Sequence, residues 1–177
     1  DGKRSGLATG LRDLDARLGG LQPTDLIVVA GRPGMGKTAL ATNIAFNVAS
    51  AYDSTRQVDG ALQPTAGGIV AFFSLEMSSE QLATRVLAEQ AEISSSNIRR
   101  GAIGETEFSR LVEHRQKMRR LPLFIDQTGA ISIAQLAARA RRLKRQRGLH
   151  LIIVDYIQLM QGKSARAAQN RVQEITE

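Results

Sequence analysis

The sequence predicts an α/β fold built on a mostly parallel sheet with helices on both faces. Three observations carry this reading. Uncharged apolar runs of strand length recur at Leu26–Ala30, Ile69–Phe73 and Leu151–Val154. Longer stretches between them place apolar residues at helical spacing, and glycine- or serine-rich turns separate the two kinds of segment. Near-continuous apolar strands are those buried on both faces, and their alternation with amphipathic helices marks parallel crossovers.

The first expected strand is Asp25–Gly31 (DLIVVAG), which leads into a glycine-rich turn. A helix from Lys37 to about Tyr52 follows, with Leu40, Ile44, Ala45 and Val48 recurring on one stripe. The stretch from Tyr52 to Gly68 is rich in turn formers and reads as a long loop or flexible hairpin. Gly68–Leu75 is the second strand. Ser78 and Gln81 have the spacing of a capping box and open a helix to about Ala91. A short helical turn at Ser94–Arg100 and a helix at Glu105–Arg119, with Phe108, Leu111, Val112 and Arg115 on one face, come next. Leu121–Asp126 is the third strand. The helix Ile131–Arg147 is expected to turn Ile133, Leu136, Ala140 and Leu143 inward, and Leu149–Asp155 is the fourth strand. Residues 1–20 read as linker and lead-in, and 21–177 as the core. The last residues look like a helix beginning, so the chain is expected to be cut from something larger.

Among the 177 residues there are 24 Lys+Arg against 17 Asp+Glu, a net charge of +7. Such an excess suits polyanionic partners such as nucleotides or nucleic acid. Aromatic residues are only 4 %, with no Trp. Stacking platforms for bases are therefore few, and contacts to nucleic acid would fall mainly on phosphates. The absence of cysteine excludes disulfides and thiolate metal sites. No apolar run approaches the roughly 20 residues of a membrane span, and the polar opening does not resemble a signal peptide. The plain expectation is a cytoplasmic protein.

The strongest chemical signal is GRPGMGKT, Gly31 to Thr38, which fits G-x-x-x-x-G-K-[ST] between an expected strand and an expected helix. Glycines let such a loop curl so that backbone N–H groups face phosphate oxygens, and the helix aims its positive end at the same anion. Gly31, Arg32, Pro33, Gly34, Met35, Gly36, Lys37, Thr38 and Ala39 are the candidate nucleotide-binding residues. Lys37 would reach the β- and γ-phosphates, and the Thr38 hydroxyl would coordinate Mg²⁺. Asp155, ending an apolar strand, is the candidate second magnesium residue. His114 and His150 are read as surface or packing residues, not ligands.

Hydrolysis of a nucleoside triphosphate also needs a group that orients or deprotonates water. Many related ATPases place an acid directly after the magnesium aspartate, but here that position holds Tyr156. Glu76, at the end of the strand after the phosphate loop, is the alternative. It also lies near the positive end of the helix capped by Ser78, which gives it a structural reason to be there. Both roles are compatible.

Three segments together carry a resemblance: ATGLRDLDARLGGLQPTDLIVVAGRPGMGKTALATNIAFNVA, VAFFSLEMSSEQLATRVLAEQ and LIIVDYIQLM. From about Leu7 to Glu177 the chain resembles the C-terminal RecA-like motor domain of DnaB-type replicative DNA helicases. The lead-in from Thr9 to Asp15, the S-L-E-M turn and the D-Y-I-Q-L-M strand end are specific in combination. The resemblance implies ATP and Mg²⁺ as cofactors and a homo-hexameric ring around single-stranded DNA, with a primase and a helicase loader as possible partners. It implies Lys37 and Glu76 as catalytic residues and Thr38 and Asp155 as the magnesium residues. It also maps Gln161 to Arg171 onto a loop lining the central channel, so that Lys163, Arg166 and Arg171 become candidates for DNA contact. A flexible solvated loop is the other reading of that segment, and a solvated outer face is the reading of the basic run Arg139 to Gly148.

Two departures accompany the resemblance. The stretch from Tyr52 to Gly68 is longer than the expected connector. A collar domain, a later strand with a phosphate sensor and an arginine finger have no counterpart. An arginine finger contributes about 10³–10⁵ in rate, so the piece alone is expected to bind nucleotide but hydrolyse it weakly. Two other functions compete: a RecA-like recombination or repair ATPase, and a module in which nucleotide only controls ring assembly.

Overall fold

The computed structural model describes residues 6–53, 56–58, 61–63 and 66–160. In chain order the elements are helix α1 (Arg12–Leu18), helix α2 (Lys37–Ser50), strands β1 (Arg56–Val58) and β2 (Ala61–Gln63) and strand β3 (Val70–Ser74). Helices α3 (Ser79–Gln90), α4 (Ser95–Arg100) and α5 (Glu105–Met118) follow, then strand β4 (Leu123–Asp126), helix α6 (Ile133–Arg147) and strand β5 (Leu151–Asp155). A 3-10 turn, Ile157–Leu159, comes after β5. β1 and β2 pair antiparallel, Arg56 with Gln63 and Val58 with Ala61, and a bridge joins Asp53 and Ala66.

β3 is the centre of a parallel sheet in the order β4-β3-β5. All five of its residues are buried, because both edges are paired and both faces are covered. On one face Val70 and Phe72 pack with Ala45, Val48 and Ala49 of α2 and Leu82 of α3. On the other, Ala71 and Phe73 pack with Ile131, Met160 and the half-buried Leu136 and Leu143 of α6. The alternation of side chains along a strand makes this division. The result is the expected parallel sheet with helices on both faces.

Local capping fixes where the crossover helices begin. Ser78 Oγ accepts from Gln81 N–H while Gln81 Oε1 accepts from Ser78 N–H, closing the expected box at α3. Ser132 and Gln135 close the same kind of box at α6. Each satisfies two helix-end donors and contributes about 1 kcal/mol. The lead-in is tied down by a buried carboxylate: Asp15 accepts from the backbone and hydroxyl of Thr9 and from Gly10 N–H. Asn47 of α2 then donates to Thr9 O.

Two expectations are corrected. Asp25–Gly31 is not a strand: it belongs to no ladder, and Leu26 and Val28 are 89 % and 70 % exposed. An apolar run becomes a buried strand only when neighbours pair with its edges, and among the described residues the sheet has no strand beside it. Ile133 is not inward: it is exposed in the first turn of α6, and Ile131, just before the helix, is fully buried in its place. A box opened by Ser132 starts the helix two residues later than expected, and Leu136, Ala140 and Leu143 of the expected stripe remain inward.

Candidate nucleotide-binding site

The direction of α2 determines what the phosphate loop faces. Gly68 N–H donates to Val48 O, which places the C-terminal end of α2 at the beginning of β3. α2 lies along the sheet, with Ala41, Ile44, Ala45, Val48 and Ala49 in the cluster around Val70 and Phe72. Its 14 residues cover about 21 Å at 1.5 Å each, enough to return its N-terminus to the carboxyl ends of β3 and β5. Ligands of parallel α/β sheets bind at that end.

The loop itself is built for an anion. Gly34 and Gly36 adopt φ of +79° and +85°, in the left-handed region that side chains resist. An added Cβ would meet no atom at either position, so backbone conformation, not crowding, demands glycine there. Gly36 caps α2 without any side-chain bond, leaving the first helical N–H groups uncapped by a side chain. Lys37 Nζ donates to the carbonyls of Gly31 and Arg32 at 2.8 and 3.1 Å, so its ammonium is held over the mouth of the loop.

Asp155 and Glu76 arrive at the same edge by strand register. Ser74 pairs with Asp155, and Leu75 N–H donates to Asp155 O. Glu76, exposed, follows two residues after Ser74 in the turn between β3 and α3. Two bonds stiffen that turn: Ser74 Oγ donates to Met77 O, and Ser79 N–H donates to Gln127 Oε1. Gln127 thus couples the end of β4 to the start of α3. Neither Ser74 nor Gln127 stands out in the sequence, because a lone hydroxyl or amide carries no spacing signature.

Asp155 is 5 % exposed, and its Oδ2 is the one buried side-chain polar atom without a partner among the described residues. A buried carboxylate oxygen left unsatisfied is costly unless an ion or water meets it. No group of three or more His, Cys, Asp or Glu capable of caging a metal exists among the described residues. A lone buried carboxylate of this kind is compatible with Mg²⁺, an ion that is usually held by one or two carboxylates together with substrate phosphates and water. The Asp155–Tyr156 peptide is cis.

His150 behaves as a packing residue. His150 Nδ1 accepts from Ile69 N–H at 3.0 Å, and its ring lies 6.1 Å from that of Tyr52. Burial, and next the charge of Lys144, hold its pKa below the usual value. Lys163, Arg166 and Arg171 lie outside the described residues.

The model of the DnaB-like helicase C terminal domain matches residues 6–177. The replicative DNA helicase DnaB of Rickettsia conorii is 45 % identical over 172 residues, which cover 97 % of this chain and 34 % of that protein. The replicative DNA helicase DnaB of Geobacillus stearothermophilus is 39 % identical over 177 residues, covering all of this chain and 36 % of the relative. This chain therefore spans about a third of the length of these relatives. A solved ATPase domain superposes with a TM-score of 0.84 at 23 % identity, over 99 % of this chain and 58 % of that one. A solved DnaB-like replicative helicase, described with its interactions with primase, superposes at 0.78, over 99 % of this chain and 40 % of that chain, again at 23 % identity. This chain shares the fold of the first of these solved domains, and the family match extends along residues 6–177. The chain belongs to the family of DnaB-like helicase C-terminal domains.

Proposed function

We propose that this chain is the ATP-hydrolysing motor of a replicative DNA helicase that moves along single-stranded DNA and unwinds duplex at the fork. Residues 21–177 are its core and 1–20 the lead-in. The observation that supports the reading is the buried, unsatisfied Asp155 carboxylate, set by strand register beside the end of β3 that leads to Glu76.

In this reading residues 31–39, from Gly31 to Ala39, wrap the triphosphate, with backbone N–H groups donating from every position but Pro33, which has none. Lys37 exchanges its two carbonyl partners for the β- and γ-phosphates. Thr38 through its hydroxyl and Asp155 through water would hold Mg²⁺, which neutralises phosphate charge when bound. Glu76 orients a water beside the γ-phosphate and takes its proton. The water oxygen bonds to phosphorus as the bond to the β–γ bridging oxygen breaks, releasing ADP and phosphate. Lys163, Arg166 and Arg171 contact the DNA backbone. The working form is a cytoplasmic homo-hexameric ring with a primase and a loader as partners. The 177 residues alone bind nucleotide but turn it over slowly, because a neighbour's arginine completes such sites.

The test is made on the full-length protein, with forked DNA and ATP. Strand separation that requires ATP is the expected result. Strand exchange or filament formation without unwinding would replace the helicase with a recombination ATPase.

A further inference from the structure

We propose that the outer edge of β4, together with the groove beside α6, is a docking site for an extended acidic segment of a partner protein. β4 ends the sheet, so one row of its backbone N–H and C=O groups has no strand partner among the described residues. Its register pairs Phe124 with Ala71 and Asp126 with Phe73, which puts these four residues on the α6 side of the sheet. α6 packs on β3 and reaches β4 through the Arg139–Asp126 pair, and a cavity of about 450 Å³ lies between them, lined by Ala71, Phe73, Phe124 and Leu143 among others. Its size lies within the range of ligand-holding clefts.

The rim of the cavity is cationic. Arg139 donates to the Asp126 carboxylate and the Thr128 hydroxyl, which holds its guanidinium at the mouth. Arg142, one turn further along α6, has no ion-pair partner among the described residues. α6 carries Arg139, Arg141, Arg142, Lys144, Arg145 and Arg147 and no acid of its own, and of these only Arg139 is ion-paired among the described residues. An apolar floor under a positive rim beside an open strand edge fits a peptide that adds as a strand. Its backbone pairs with β4, an apolar side chain fills the cavity, and a carboxylate meets Arg142. Charge also selects between occupants. An acidic segment complements Arg142 and the basic face of α6, where no acid of α6 competes for it.

The probe is a fluorescein-labelled eight-residue peptide alternating phenylalanine with glutamate, titrated by anisotropy into the full-length protein. Binding is expected, with at least a tenfold loss when lysine replaces glutamate. A similar loss is expected when the backbone amides are N-methylated. Arg142→Glu, a change at an exposed position, should cost the glutamate peptide at least tenfold in affinity. Four results would each overturn the proposal: no binding, equal binding of the two peptides, undiminished binding to Arg142→Glu, or displacement by inorganic phosphate as readily as by unlabelled peptide. If Arg142→Glu instead weakens assembly of the protein with itself and leaves peptide binding intact, the groove belongs to a second copy and the proposal also fails.

Discussion

Residues 26–30 and 69–73 are both five-residue apolar runs, and each leads towards a residue of the proposed nucleotide site, yet they meet opposite environments. Phe72 in the second run is 1 % exposed, between two paired strands and under helices on both faces. Leu26 in the first is 89 % exposed and lies in no ladder. The difference teaches that apolar composition states what a segment requires, whereas neighbouring strands and helices decide whether the requirement is met. It also divides the site. Glu76 is mounted on the fully buried strand, and Asp155 on the strand beside it. The phosphate loop instead depends on α2, which is anchored through Val48, Ala49 and Asn47 and not through the run that precedes the loop.

The sharpest way to break this comparison is to truncate one side chain in each run of the 177-residue chain. Phe72→Ala should cost about 3–5 kcal/mol through lost transfer energy and a residual cavity. Val28→Ala should change stability by less than about 0.5 kcal/mol, as exposed substitutions do. Urea unfolding measures both, and comparable costs would mean that the first run is packed after all. A smaller effect concerns the loop that the exposed run enters. Gly36→Ala forces a side chain into the left-handed region and should cost about 1–2 kcal/mol, with weakened nucleotide binding by calorimetry. Unchanged stability and binding would show that the loop does not need φ near +85°.

The smallest effect concerns the start of the buried strand, where His150 accepts the Ile69 N–H. Its pKa is lower in the folded protein than its ordinary 6.5, so the unfolded chain binds the proton more readily. Stability from this group should be fully present above about pH 6.5 and fall as the pH drops through the lowered folded value. Melting from about pH 8 to about pH 5 should show a loss in the wild type that is reduced in His150→Gln. An equal slope in both would remove His150 from the account.

The sequence showed most clearly those features whose physics is local. The phosphate loop, the Ser78–Gln81 box and the carboxylate ending β5 each depend on residues a few positions apart. The pairing of β1 with β2 was only half legible, although Asp59-Gly60 between Val58 and Ala61 is a strong two-residue turn signal. The Ser132–Gln135 box has the same spacing as the one at Ser78 and would have corrected the start of α6. Exposure of 26–30, the Ser79–Gln127 bond and the cavity beside Phe124 depend on segments distant in the chain. Their spacing in sequence is silent about which strands become neighbours.

The central claim is that β3 mounts Glu76 as the group that activates water, and Glu76→Gln in the full-length protein tests it most directly. Glutamine keeps the shape and loses the proton acceptor. The account predicts ATP binding close to wild type with hydrolysis reduced by about 10²-fold or more. Hydrolysis at the wild-type rate would contradict it and leave Glu76 as no more than the residue that leads into α3.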